Sequence, residues 1–245
     1  MKTRLYTRKR ALISSVAMLL VAMIALGTAT FAWFTSNTTA TASGINVKTI
    51  QASELVISKS DKDWKTTVNY GVANKVLVPA STSNGSAWFT ANAEVKTDYA
   101  KPENEDFQSA SGDNYYFAEQ LNVMNKGEAT VENVTITFSG LTNKYLRVAV
   151  VPADASGNIT GTFTDCIYDA SGDVYQAVET ATTTTEVTGK TTYEISVGEL
   201  AKNEAAYYNI YVWFEGQDEQ CIDANAGQIV PDIEFTVTGN TKEQV

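Results

Sequence analysis

Beyond Phe34 the chain is filled by short runs of alternating polar and apolar residues, most of them closed by Gly, Asn or Asp. In "VENVTITFSG" (131–140), Val134, Ile136 and Phe138 share one side of an extended chain and Thr135 and Thr137 the other. A period of two suits a half-buried strand and does not build the apolar stripe of a helix. The same reading predicts strands over 45–50, 54–60, 76–80, 87–91, 116–125, 145–152, 166–170, 173–179, 191–198, 206–216 and 232–239. Many short strands without helices between them predict an all-β antiparallel sandwich rather than a βαβ fold. One helical turn is expected near 217–227.

Turn chemistry supports this reading. "NKGE" (125–128) joins two alternating runs as a hairpin or a corner, with Gly127 expected at φ > 0. "DASGN" (154–158) and "DASGD" (169–173) predict turns capped by Asp and Ser, with Gly in the left-handed position. Two segments read as long connections. Residues 96–114 are polar and acidic, and 180–190 are Thr-rich and read equally as a loop or an exposed strand.

Charge divides the chain. Lys2, Arg4, Arg8, Lys9 and Arg10 precede an uncharged apolar run, "ALISSVAMLLVAMIAL" (11–26). All 28 acidic residues lie beyond Ser53, so the chain from Trp33 carries 13 cations against 28 anions, a formal −15. A body this acidic repels nucleic acid and anionic lipid, and suits a solvated extracellular surface. The leader has the basic, apolar and small-residue order of a secretory signal, with Thr30-Phe31-Ala32 before a scissile bond. Counted through to Phe34, the uncharged run is also long enough to span a bilayer. Cleavage and an uncleaved anchor both stand, and either exports the acidic body.

The chain contains no histidine. That excludes a Ser-His-Asp triad, a Cys-His pair and an HExxH zinc site. Neither a phosphate-binding glycine loop nor a G-x-S-x-G elbow occurs. The Asp–Ser–Gly turns are too short to close a calcium loop. Glu103, Glu105 and Asp106 read as a solvated loop, and Asp218, Glu219 and Asp223 as a turn. Tyr211, Trp213 and Phe214 read as core. Cys166 and Cys221 are either one disulfide of an exported protein or two half-buried thiols. No catalytic, cofactor or metal set emerges, so a non-enzymatic protein is expected.

Three stretches together resemble the camelysin/TasA family of Gram-positive exported proteins. "TFAWFT" (30–35), after its basic and apolar leader, is similar to the junction cut by a SipW-type signal peptidase. "LNVMNKGEATVENVTITFSG" (121–140) resembles a strand, Asn-x-Gly turn and strand that pass from one sheet to the other. "YYNIYVWFEGQDEQCIDANAGQIVPDIEFTVTG" (207–239) resembles a closing pair of strands. The resemblance implies a jelly-roll-like β-sandwich and extracellular fibres of a biofilm matrix, with an accessory minor subunit. It also implies an amino-terminal donor strand that completes the sheet of the next copy, for which Trp33, Phe34, Ile45, Val47 and Ile50 are the candidates. "INVKTI" (45–50) reads equally as the first strand of its own domain. Some family members carry a protease label, which this sequence without histidine does not support.

The expected organisation is a signal or anchor over 1–32, an extension over 33–52, a sandwich over 53–239 and a tail over 240–245. Expected partners are other copies of the chain and the signal peptidase, with no nucleic acid and with membrane contact only through the leader. The alternative is a cell-surface binding or adhesion module tethered by an uncleaved leader. Mass spectrometry of the secreted protein's amino terminus tests the junction. Cleavage predicts Trp33 as the first residue, and an intact leader would establish the tether.

Overall fold

The computed structural model describes residues 46–50, 55–72, 75–91, 107–181, 183–221 and 228–242. All of them fall in the compact unit that spans 42–245. They form fourteen strands, beginning with β1 (Asn46–Ile50), β2 (Leu55–Ser58), β3 (Thr67–Asn69), β4 (Phe89–Ala91), β5 (Phe107–Ser109), β6 (Tyr116–Asn125) and β7 (Val131–Ser139). Then come β8 (Leu146–Ala153), β9 (Ile167–Tyr168), β10 (Val174–Thr180), β11 (Thr183–Thr188), β12 (Glu194–Leu200), β13 (Ala205–Phe214) and β14 (Glu234–Thr241). A one-turn 3-10 helix, Phe163–Cys166, precedes β9. No α-helix occurs among the described residues.

The expected all-β, largely antiparallel architecture is the one the chain adopts. A first sheet runs β12-β7-β14-β1-β3 and a second β2-β6-β13-β8-β9. Apolar residues of both line one core. Val134, Ile136, Phe235 and Val237 from the first sheet meet Leu121, Val148, Ile210 and Val212 from the second. β10-β11 and β4-β5 form two small two-stranded sheets.

The second sheet is covered on both faces along much of β8 and β13. Along β13, Ile210, Val212 and Phe214 join the core between the large sheets. Tyr211 and Trp213, which alternate with them, join a second cluster with Trp88, Phe163, Tyr175, Ala177 and Val187. Those partners come from the segment before β4, the 3-10 turn, β10 and β11. The expected core placement of Tyr211, Trp213 and Phe214 holds, and it divides them between two cores. Trp88 stacks on Tyr116 with ring centroids 4.0 Å apart and meets Trp213 edge-on at 5.4 Å. Such pairs contribute about 0.5–1.5 kcal/mol each beyond area burial.

"NKGE" makes a corner, because β6 lies in the second sheet and β7 in the first. Gly127 is not at positive φ, contrary to expectation. The bend is held by Asn125 instead. Its Oδ1 accepts from the Gly127 N–H at 2.9 Å, and its Nδ2 donates to the carbonyls of Ala129 at 2.8 Å and Leu200 at 3.0 Å. A side chain that satisfies three backbone groups removes the need for a left-handed residue.

The two Asp–Ser–Gly turns form as expected, with Gly157 at φ +86 and Gly172 at φ +70. The Thr-rich stretch supplies β11, antiparallel to β10. Residues 76–80 make only isolated bridges, Val76 to Ile229 and Ala80 to Glu215. Pro79 lacks the N–H that a continuous ladder needs. The described part of 217–227, up to Cys221, forms turns rather than a helical one.

Asn125→Ala leaves three buried or half-buried backbone groups without their partner. Urea denaturation is expected to show a loss of about 3 kcal/mol. A loss below about 1 kcal/mol would mean that the corner does not depend on this side chain.

Candidate functional site

Two features of the molecule bear on function: the placement of β1, and a group of buried charges on the outer face of the second sheet. β1 lies inside the first sheet. It pairs parallel with β14 from Asn46↔Glu234 to Ile50↔Thr238, the one parallel ladder among the described strands. On its other side it pairs antiparallel with β3, Asn46↔Asn69, Val47↔Val68 and Lys48↔Thr67. Of the candidate donor residues, Val47 and Ile50 are in this strand. Trp33, Phe34 and Ile45 lie outside the described residues, as do Thr30 and Ala32 of the junction. Within one chain, then, Asn46–Ile50 serves as a strand of its own domain. The first sheet also takes in 46–50, which the sequence organisation assigns to the extension.

The position of β1 matters because it separates two strands that do not otherwise meet. β14 is fully paired on its far side to β7. Its Phe235 and Val237 are fully buried. Without β1, its near side would present a row of open N–H and C=O groups. β3, only three residues long, would lose its sole ladder among the described strands.

The buried charges gather around Arg147. Alternation along β8 puts Leu146, Val148 and Val150 in the inner core. Arg147 therefore faces the second cluster, opposite Trp213 on β13. It is wholly buried, as are Asp169 and Glu215, and Asp218 nearly so. Its Nη2 donates to Asp218 Oδ2 at 2.5 Å and its Nη1 to the Lys144 carbonyl at 2.5 Å. Its Nε stands 3.8 Å from Asp169 Oδ2, and its guanidinium lies 4.4 Å from the centroid of the Tyr175 ring. One cation thus ties together the turn after β13, the β9–β10 turn and β10.

Each acid is held by its own turn. Asp169 Oδ1 accepts from the N–H of Ser171 at 2.8 Å and from that of Gly172. Asp218 Oδ1 accepts from Gln220 N–H at 2.7 Å. A Cβ on Gly189 would fall 1.7 Å from Asp169 Oδ2, so glycine is required where that segment passes the carboxylate. Glu215 Oε2 accepts from Trp213 Nε1 at 2.9 Å, and Oε1 from Gln217 N–H at 3.1 Å. Desolvation pushes the Glu215 carboxyl up to about 7, against the hydrogen bonds and the Arg147 charge that favour its ionised form.

This arrangement is a tie between segments. It offers no open nucleophile, and among the described residues no group of three or more Cys, Asp or Glu is placed to hold a metal. Asp218 sits in a turn, as its sequence suggests, and is also a buried ion-pair partner of Arg147. Glu103, Glu105, Asp106 and Asp223 lie outside the described residues. The cysteines are free thiols rather than a bridge. Cys166 packs at the second cluster and Cys221 at the core between the large sheets. Burial pushes the Cys221 thiol up to about 12, which keeps it protonated and unreactive.

Removing Arg147 strands buried carboxylates, and Arg147→Met is expected to cost about 3–5 kcal/mol in urea denaturation. Glu215 has a folded-state pKa near 7, above its ordinary 4.5. Its contribution is therefore complete below about pH 4.5 and is lost as pH rises through about 7, by about 3 kcal/mol in all. Glu215→Gln removes this slope. The stability difference between wild type and variant, measured from pH 4.5 to 8, should move against the wild type as pH rises. A difference that does not change with pH would show that Glu215 does not titrate there.

No family model, curated protein or solved structure matches the chain.

Proposed function

We propose that this chain is an exported, non-enzymatic structural protein, built as a jelly-roll-like sandwich, whose copies join by exchanging the strand Asn46–Ile50. The observation that carries this reading is the double ladder of β1. A five-residue strand, with the whole amino-terminal segment ahead of it, fills a slot between β14 and β3. The same strand from a second copy can make the same bonds in the same register. Exchange therefore changes which chain provides the strand and leaves the sheet intact.

Only residues 51–54 separate β1 from β2, and the two strands belong to different sheets. A connection this short is where strand exchange opens, because extending it releases β1 without disturbing the second sheet. If each copy gives its strand to the next, the contact is head to tail and grows a filament. Export through the leader and the acidic surface support an extracellular location, where such filaments serve as a matrix. Cleavage after Ala32 would free the segment to travel.

The test compares residues 33–245 with residues 51–245 by electron microscopy. The longer form is expected to assemble into fibres, and a synthetic peptide of residues 33–50 in molar excess is expected to stop their growth. The shorter form should bind that peptide and form no fibres alone. Identical fibres from the shorter form would overturn strand exchange as the joining contact.

A further inference from the structure

The apolar cover over the outer face of the second sheet ends at Tyr211, and a polar hollow begins there. Cross-strand partners on this face run Trp213–Tyr116, Tyr211–Ala118 and Asn209–Gln120. Ala118 is the smallest of these side chains and is exposed. It floors a hollow of about 240 Å³ between the Tyr211 ring on one side and the Gln120 and Asn209 amides on the other. Ser156 and Gly157, from the turn after β8, form the facing wall, and Glu119 stands at the margin.

This hollow is preformed. Asp154 braces the turn: its Oδ1 accepts from Ser156 N–H at 2.8 Å and Asn158 N–H at 2.9 Å, and its Oδ2 from Asn158 Nδ2 at 2.8 Å. Asn209 Nδ2 donates to the Gly157 carbonyl at 2.8 Å, which pins the turn to the sheet. Gly157 stands at φ +86, where a side chain is strained, and a Cβ there would lie 2.3 Å from Gln120 Nε2 and displace that amide. A rigid wall and floor lose little freedom when a ligand settles between them.

Its chemistry selects the ligand. Amide and hydroxyl groups both donate and accept, and they sit beside an aromatic ring and a flat methyl floor. The lining residues include no cation, and the one acid among them, Glu119, alternates to the inner face of the sheet with Phe117 and Leu121. Anions are therefore disfavoured by the acidic body as a whole. Neighbouring hydroxyls on a pyranose ring ask for paired donors and acceptors, and the apolar face of the ring asks for an aromatic or methyl surface. We infer that the hollow between Ala118, Gln120, Asn209 and the Ser156–Gly157 turn is a binding subsite for a neutral saccharide. It is separate from the β1 slot and does not depend on strand exchange.

Isothermal titration of the full chain with cellotetraose and with chitotetraose tests this, with tetragalacturonate as the anionic counterpart. At least one neutral tetramer is expected to bind in the range of about 1 mM, and the anionic one more weakly. Ala118→Leu fills the floor, and Gln120→Ala removes an amide. Each is expected to weaken binding at least about tenfold. Both positions are outside the buried core, so the variants should keep the wild-type melting temperature. Failure of both neutral tetramers to bind would overturn the inference. So would equal binding of the anionic one, or unchanged affinity in Ala118→Leu.

Discussion

The fold depends on β13 lying between β6 and β8 with both of its faces covered. A strand buried on one side needs only alternate apolar residues. β13 is paired along nearly its whole length to two neighbours and packs Ile210, Val212 and Phe214 one way and Tyr211 and Trp213 the other. Each covering layer exists because β13 has something to bury against it. This placement also takes Arg147, its partner on β8, out of water. A guanidinium there persists only because Asp218, Asp169 and the Tyr175 ring surround it. The long connections between strands are thereby fastened to the sheet, and Glu215 adds a titrating group near neutrality to that fastening.

The first sheet is a different kind of object. Its place between β14 and β3 is held by β1, a strand that precedes the rest of the domain and is joined to it by four residues. One sheet is thus locked by burial on two faces, while the other keeps a place that any copy of β1 fits. The proposed assembly by strand exchange would use this difference: the locked sheet would preserve the fold while the slot changes occupant. The proposed saccharide subsite lies on the outer face of the locked sheet, so binding there and joining through the slot would use separate surfaces.

Residue type and alternation made the long strands legible in the sequence. β6 matches its expected residues 116–125 throughout, and β7, β8, β13 and β14 agree to within two residues, since each is a long run of β-branched, aromatic and apolar residues closed by turn residues. The three-residue strands β3 and β5 were not legible, because so short a segment carries no period. Thr-rich β11 reads equally as loop because threonine suits both. The corner was placed correctly for the wrong reason, since Asn125 rather than Gly127 makes it.

The Arg147 group was not legible at all. Its members are separated by up to 71 positions, and each has a local explanation: Asp169 and Asp218 as turn caps, Arg147 as the exposed face of a strand. The one available signal was a lone charge in the apolar run 145–152. It gains meaning only once the second face of that sheet is known to be covered. The Ala118 hollow was hidden for a similar reason, since it arises from the register of β6 on β13 and from a turn that folds over them.

Strand exchange is the central claim, and a crosslink across the slot tests it most directly. Val47 and Val68 are paired positions in the antiparallel β1–β3 ladder. With Cys166 and Cys221 replaced by serine and cysteines placed at these two positions, assembled fibres are oxidised and then dissolved in denaturant without reductant. Exchange predicts a ladder of covalently linked chains, because each bond joins two copies. Single chains carrying an internal bond would show that every β1 stays at home, and would contradict the account.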